Sequence, residues 1–254
     1  MKILVAVKQV PEVSDAEVEI ARDGRGVETE DLSFDLGEWD ACAVEAAVRL
    51  EEAHGGEVTA ITVGDTEAEA GLRKALAMGA DAAVRIGVEG SPEDPMVVAR
   101  LIAAWAGERG FDLVLTGVMA ADDGHGVVGP ALGALLDLPH ATMVIELTVG
   151  DGVAAIQREL EEGLKERLEV RLPAVLAVQT GLAEPRYVSI MGIRKVRKIP
   201  IDTVDAADLG VETGGRLELL GLSRPPAGRE VELLEGSPRE VAARMLALVR
   251  EVAG

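Results

Sequence analysis

The sequence FDLVLTGVMAADDGHGVVGPALGALLDLP, residues 111–139, contains the features that decide the fold. It begins with an apolar run, Phe111 to Thr116, that predicts a buried β-strand. A loop with glycines at 117, 124, 126 and 129 follows, and a run of small residues then predicts a helix. This order is typical of a phosphate-binding turn, yet the stretch contains no lysine or arginine and has two aspartates, Asp122 and Asp123. The sequence therefore raises the question of what an acidic glycine loop binds.

Three other apolar runs predict strands, and helical patterns separate them. The strands are expected at residues 2–7, 57–64 and 82–87, and the helices at residues 39–56, 66–80 and 95–110. Thr66 and Glu69 predict a capping box at the start of the second helix, and Gly79 predicts its end. Apolar strands that alternate with helices indicate a parallel sheet covered on both faces. The predicted fold class is α/β, with a doubly wound, mostly parallel, Rossmann-like sheet.

The pattern changes after residue 140. Three strand-like segments are separated by Gly-Asp-Gly and Glu-Glu-Gly, which predicts an antiparallel hairpin excursion before the chain returns through residues 173–180. From residue 181 the chain has no regular pattern until an amphipathic helix, which Ser237 and Glu240 are expected to cap. We therefore predict a nucleotide-binding α/β domain over residues 1–200. A C-terminal arm over residues 201–254 would pack over its own core or, as we expect, on a partner subunit.

The overall composition excludes several classes of function. The formal net charge is −20, which argues against a nucleic-acid or anionic-membrane surface. Cys42 is the only cysteine and the three histidines are scattered, so neither a disulfide nor a metal site is expected. The N-terminal apolar run is too short for a signal peptide, and no apolar run is long enough to span a membrane. We expect a cytoplasmic protein that does not insert into membranes.

The glycine loop is predicted to lie where open α/β sheets bind ligands, beyond the carboxyl ends of the strands. A helix N-terminus there offers free N–H groups to a phosphate without a basic side chain. The loop lacks Gly-Lys-Ser/Thr, so a bound nucleotide would be retained rather than hydrolysed. Asp122 and Asp123 would point away or accept from ribose hydroxyls, and turn and cap functions suit them better than catalysis. His125 would donate to a phosphate or be exposed, and the loop as a whole could be only a glycine-rich connection.

Five segments, taken in order, resemble the beta subunit of electron transfer flavoprotein. They are MKILVAVKQVPE (1–12), AVEAAVRLEE (43–52), ALAMGAD (75–81), residues 111–139, and LPAVLAVQTGLAEPRYVSIMGIRKVRK (172–198). The last segment is the most specific, and the resemblance extends to about residue 210. It implies one subunit of a heterodimer, in which an alpha subunit carries most of the FAD site and this chain binds a structural AMP.

The resemblance also implies an electron carrier that is not a catalyst alone. Electrons would come from acyl-CoA dehydrogenases or other flavin dehydrogenases and pass to a membrane quinone oxidoreductase or another acceptor. Two alternatives stay open. Electron-bifurcating members of the family place a second FAD in the AMP site, and a stand-alone adenine-nucleotide-binding protein would have the same strand, loop and helix.

The nucleotide contacts of the family match three parts of this chain. Trp39 would lie toward the flavin, and the loop has fewer polar side chains than is usual, so backbone amides would bind the phosphate. The matching positions are Ala6 and Val63 at strand ends, Gly37, Glu38, Trp39 and Asp40 before the first helix, and Gly117, Val118, Met119, Ala120, Ala121, Asp122, Asp123, Gly124, His125, Gly126, Val127 and Val128 in the loop.

The segment EPRYVSIMGIRK, residues 184–195, is predicted by the same resemblance to be a partner-docking loop. Ile190 takes the position of the family's apolar anchor, and Lys195 and Lys198 belong to the basic run that follows. In a chain of net charge −20 these cations are a local exception that could orient an acidic dehydrogenase. The alternative is that Ile190 and Met191 pack inward.

Overall fold

The computed structural model describes residues 1–13, 16, 18–90, 92, 94–226 and 233–253. The strands are β1 (Lys2–Ala6), β2 (Gln9–Glu12), β3 (Ser33–Leu36), β4 (Glu57–Gly64), β5 (Ala82–Gly87), β6 (Leu113–Gly117), β7 (His140–Gly150), β8 (Val153–Glu159), β9 (Lys165–Arg171), β10 (Ala174–Val178) and β11 (Asp202–Asp205). The helices are α1 (Glu38–His54), α2 (Glu69–Met78), α3 (Pro95–Ala106), α4 (Val128–Leu135), α5 (Ile190–Val196) and α6 (Pro238–Ala253).

Within the described residues, nine strands form one sheet in the order β11-β5-β4-β1-β6-β10-β7-β8-β9, and β2 pairs with β3 in a separate ribbon. The strands from β11 to β7 run parallel, and β8 and β9 extend the sheet as antiparallel strands. The predicted fold class is confirmed. None of the described helices is long and apolar enough to cross a membrane.

The core has one apolar layer on each face of the sheet. In β1, Ile3 and Val5 pack in the layer under α1 and α2, whereas Leu4 and Ala6 pack in the layer under α3 and α4. Successive side chains of a strand point to opposite faces, so a strand with no polar position must be covered on both sides. This explains why the parallel strands read as continuous apolar runs in the sequence.

The antiparallel excursion is confirmed, and its first turn follows from the sequence. Asp151 and Gly152 have φ of 51° and 74° between the paired residues Gly150 and Val153. Two left-handed residues in a two-residue hairpin match the right-handed twist of the strands, and Asp-Gly favours them. The strand β7 also pairs in parallel with β10, so it belongs to both parts of the sheet.

The predicted capping box at the start of α2 is wrong. The helix begins at Glu69, with Ala68 at the capping position and no side-chain cap. The Glu69 carboxylate instead accepts a hydrogen bond from Arg85 Nε of β5 at 3.0 Å, so it is used in a tertiary contact. The predicted end at Gly79 is confirmed, since this glycine has φ of 122° at the helix terminus.

The sequence suggested that the chain is irregular after residue 181. The structure instead has α5 and β11 in this region. The strand β11 pairs in parallel with β5 at the sheet edge, and only one of its four side chains is half-buried. A short polar edge strand has no hydrophobic periodicity by which a sequence pattern could reveal it.

The chain divides into compact units at residues 1–221 and 222–254, and β11 belongs to the first unit. In the second unit, the capping box of α6 is confirmed by a hydrogen bond of 2.9 Å from Ser237 N–H to Glu240 Oε2. The side chains of Met245, Leu246 and Val249 are more than half exposed. Packing of this unit on a partner stays a prediction.

Candidate functional site

A cleft lies at the carboxyl ends of β1, β4 and β6. The predicted residues that line it are Ala6, Asp40, Val63, Gly117, Val118, Met119, Ala120, Asp123, His125, Gly126, Val127 and Val128. Those outside its lining are Gly37, Glu38, Trp39, Ala121, Asp122 and Gly124. The structure thus brings together residues from four distant parts of the sequence.

Sequence reasoning missed part of this lining, most importantly Lys8 and one face of α3. Lys8 lies two residues beyond Ala6, so its position at the end of the first strand was a usable signal. Pro95, Val98 and Ile102 line the cleft at helical spacing. Nothing in their sequence distinguishes an apolar helix face that lines a cleft from one that only packs on the sheet.

Lys8 explains the acidic loop. Its ammonium lies 2.7 Å from Asp122 Oδ2 and 2.8 Å from Asp123 Oδ2. Burial lowers the pKa of Lys8, but hydrogen bonds to the two aspartates outweigh it and raise the pKa above the usual value. Asp123 also accepts from the N–H of His125 at 2.9 Å, which confirms a turn function. The two aspartates therefore share one cation, Lys8, and only Asp123 also lines the cleft.

Asp40 joins the two strand ends that form the floor of the cleft. Its carboxylate accepts hydrogen bonds from the N–H of Lys8 at 2.7 Å and from the N–H of Gly117 at 2.9 Å. Burial, which is opposed by these hydrogen bonds, raises the pKa of Asp40 to about 7. A carboxyl with such a pKa changes its charge in the neutral pH range. The strength of its hydrogen bonds to the N–H groups of Lys8 and Gly117 therefore depends on pH.

Glycine is required at position 117 because the strand end lies against α1. A Cβ atom there would be 2.4 Å from Asp40 Oδ1 and 2.8 Å from Trp39 Cβ. Trp39 is not part of the lining of the cleft, and its indole N–H donates to Gln179 Oε1 at 2.6 Å. That Trp39 lies toward a flavin stays a prediction.

The N-terminus of α4 provides the donors of the cleft. The helix begins at Val128 with no side-chain cap among the described residues, and its first N–H groups have no partner within the helix. Gly124 and Gly126 have φ of 64° and 62°, a left-handed conformation that favours glycine. Gly129 allows α4 to pack closely on the sheet, since a Cβ atom there would be 2.8 Å from Thr116 Oγ1. Apolar walls with free N–H groups at one end suit a nucleotide.

The predicted docking segment is a helix rather than a loop over residues 190–196. Ser189 caps it by accepting from the N–H of Gly192 at 3.1 Å, which explains why the short helix forms there. Ile190 and Met191 are 72% and 60% exposed, so the alternative that they pack inward is wrong. Lys195 and Lys198 are also exposed.

No group of histidine, cysteine, aspartate or glutamate within the described part of the chain could hold a metal ion. Cys42 is a buried free thiol on α1. The donors that line the cleft are backbone N–H groups, the Lys8 ammonium, the hydroxyls of Thr62 and Thr116 and the imidazole of His125.

Comparison with known proteins gives one consistent family. The sequence model of the family described as Electron transfer flavoprotein domain matches residues 26–209. Electron transfer flavoprotein subunit beta of Methylophilus methylotrophus is 36% identical over the full length of both chains. The subunit beta of Bacillus subtilis is 37% identical over 89% of this chain and 92% of its own. That of Homo sapiens is 34% identical over 92% of this chain and 94% of its own.

Proposed function

Because the chain belongs to the electron transfer flavoprotein family, with beta subunits as its relatives, we propose that it is the beta subunit of a heterodimeric electron carrier. Electrons reach the heterodimer from acyl-CoA or other flavin dehydrogenases and leave to a membrane quinone oxidoreductase or another acceptor. FAD, held mainly by the alpha subunit, supplies the redox chemistry. The residues of this chain position cofactors and partners, and the chain is not a catalyst alone.

The cleft at the end of β1, β4 and β6 is the observation that carries this proposal, because its residues fit an adenine mononucleotide. The uncapped N-terminus of α4 and the glycine loop offer backbone donors to a phosphate. Ala6 and Val63 leave a small apolar surface against which the adenosine can lie. We propose that AMP binds there as a structural ligand.

The Lys8 ammonium is shared by two carboxylates of the loop, Asp122 and Asp123, so backbone N–H groups would provide the main contacts to the phosphate of AMP. A stand-alone nucleotide hydrolase is disfavoured because Lys8 comes from the end of β1 and is paired, not placed in the glycine loop as a phosphate-binding lysine is.

Two surfaces of the chain are proposed to contact other proteins. Ile190 and Met191, next to the cations Lys195 and Lys198, form an apolar tip with a basic surround, which fits an acidic flavin dehydrogenase. The exposed apolar side chains of α6 fit the alpha subunit, which would remove them from water. We place the heterodimer in the cytoplasm.

Co-expression with the alpha subunit tests the proposal. The expected product is a yellow heterodimer, while this chain expressed alone is colourless because FAD is held mainly by the partner. A colourless homo-oligomer that does not bind the alpha subunit and that turns over ATP would contradict the proposal and favour a stand-alone nucleotide-binding protein.

A further inference from the structure

The helix α5 is held only in part by the apolar core. None of its seven residues, 190–196, is buried, and the half-buried Val196 packs against the core at the end of the helix. A helix of this length is not stable by itself in water. Polar residues on either side of it provide further contacts.

The first contact lies before the helix, at Arg186. Its Nε donates to Glu45 Oε2 at 2.7 Å, its Nη2 to Glu45 Oε1 at 3.2 Å, and its backbone N–H to Glu45 Oε2 at 3.1 Å. Its Nη1 donates to Glu52 Oε1 at 2.9 Å. Both glutamates belong to α1, 141 and 134 residues away in the sequence. A planar guanidinium that binds both oxygens of one carboxylate fixes orientation as well as distance.

Glu45 is a buried carboxylate whose side chain is 3% exposed. It also accepts from Arg49 Nε at 2.7 Å, and Arg49 Nη2 donates to the carbonyl oxygen of Glu184 at 3.1 Å. Burial raises the pKa of Glu45, but the hydrogen bonds from the two arginines outweigh it and hold the pKa below its usual value. The carboxylate thus stays charged and fastens the segment 184–186 to α1.

The second contact lies at the other end of the helix. Arg73 of α2 donates through Nη1 to the carbonyl oxygen of Val196 at 3.0 Å and to that of Ile199. The last carbonyl groups of a helix have no partner within it, and a cation there also interacts favourably with the helix dipole. Arg186 before α5 and Arg73 after it therefore hold the two ends.

We propose that Arg186 and Arg73 are positioning residues that hold α5, with Ile190 at its exposed tip, in the orientation in which it meets an electron-transfer partner. The inference rests on the proposed docking function of α5. It extends that function because the orientation of the docking helix is set by α1 and α2, and Asp40 in the first turn of α1 lines the nucleotide cleft.

The test uses the heterodimer with its flavin. Arg186→Gln and Arg73→Met remove one contact each. Because Arg186→Gln leaves a buried carboxylate with one arginine fewer, the double variant Glu45→Gln/Arg186→Gln removes that charge as well. Arg158→Gln is the matched control, since Arg158 pairs with Glu166 at 2.6 Å on the β8–β9 hairpin. Ile190→Ala tests docking itself.

Hydrogen exchange of the backbone amides in residues 187–199 measures the stability of the helix in the heterodimer, in the absence of a dehydrogenase. We expect exchange about tenfold faster in the Arg186 and Arg73 variants, as the loss of a charged hydrogen bond predicts, with β1, β4 and β6 unchanged. The second readout is the rate at which the flavin is reduced by an acyl-CoA dehydrogenase with its acyl-CoA substrate. This rate should fall several-fold in the same variants and in Ile190→Ala, but not in Arg158→Gln.

The outcomes distinguish the positioning function of Arg186 and Arg73 from the docking function of α5. Unchanged exchange at 187–199 contradicts the positioning function of the arginines, whatever the kinetics. Faster exchange with normal flavin reduction, while Ile190→Ala is slow, also contradicts it, because docking then does not need the fixed orientation. Normal reduction in Ile190→Ala removes the docking function of α5, and the positioning inference falls with it.

Discussion

The cleft and α5 are both candidate binding surfaces, but they are built by different interactions. The cleft is formed by the ends of buried strands, a close glycine contact and the start of a helix. The helix α5 has no buried side chain in residues 190–196 and is fastened by arginines. The core thus positions the proposed ligand site directly, whereas it holds the proposed partner site through one half-buried side chain, Val196, and through polar contacts. A substitution in the cleft should therefore lower stability and ligand binding together. A substitution on the exposed face of α5 should weaken partner binding and leave stability unchanged.

The largest effect is expected for Gly117→Ala. The added Cβ atom would lie 2.4 Å from Asp40 Oδ1, so the end of β6 or α1 must shift. Overpacking of this kind costs up to about 3 kcal/mol, and the nucleotide should be lost with the geometry of the cleft. Thermal unfolding and the nucleotide content measure both effects.

Gly150→Ala is the matched control, because a Cβ atom at this hairpin position has no described heavy atom within 4 Å. It should leave the melting temperature and the ligand unchanged. A normal melting temperature in Gly117→Ala would contradict the close packing of β6 on α1.

The next effect is expected for Ile190→Ala at the partner surface. Loss of an exposed apolar anchor should weaken association with the dehydrogenase by about 1–3 kcal/mol. Because Ile190 is 72% exposed, the melting temperature, flavin content and nucleotide content should not change. Earlier unfolding with normal partner kinetics would show that Ile190 supports the fold instead. This variant is the counterpart of Gly117→Ala and tests whether the two surfaces are separable.

A smaller effect is expected for Lys8→Met. The variant leaves Asp122 and Asp123 without their cation, so an anionic ligand should bind about tenfold more weakly, the size of one charge-assisted contact. Titration of the nucleotide-free heterodimer with AMP measures this. Lys165→Met, at the start of β9, serves as the control, and equal AMP affinities in the two variants would rule out electrostatic support from Lys8.

Asp40 should give an effect of a different kind, a dependence of stability on pH. Its pKa in the folded protein, about 7, lies above the ordinary value of 3.8, so the folded state binds the proton more tightly. The stabilisation is complete below the ordinary value and is lost as the pH rises toward 7, by roughly 1 kcal/mol for each unit. The difference in free energy of unfolding between the unsubstituted protein and Asp40→Asn should change across this range with that slope. Parallel pH profiles would mean that Asp40 titrates normally.

The same difference between the two regions explains how far the sequence could be interpreted. The bounds of β4 and β5 match the apolar runs, because buried parallel strands have a continuous apolar pattern. Most of the cleft follows from the glycine loop and the strand ends. The ion pair of Lys8 with Asp122 joins residues 114 apart, and that of Arg186 with Glu45 joins residues 141 apart. No periodicity or spacing predicts such pairs, so the parts of the structure that depend on charged side chains could not be foreseen.

Identification of the released nucleotides tests the central claim most directly. The yellow heterodimer is purified, denatured, and its nucleotides are separated and quantified against protein. We expect one FAD and one AMP for each heterodimer, with AMP bound in the cleft of this chain. Two FAD and no AMP would contradict the structural-AMP assignment and favour an electron-bifurcating subunit, and the absence of any adenine nucleotide beyond one FAD would contradict a nucleotide site in this cleft.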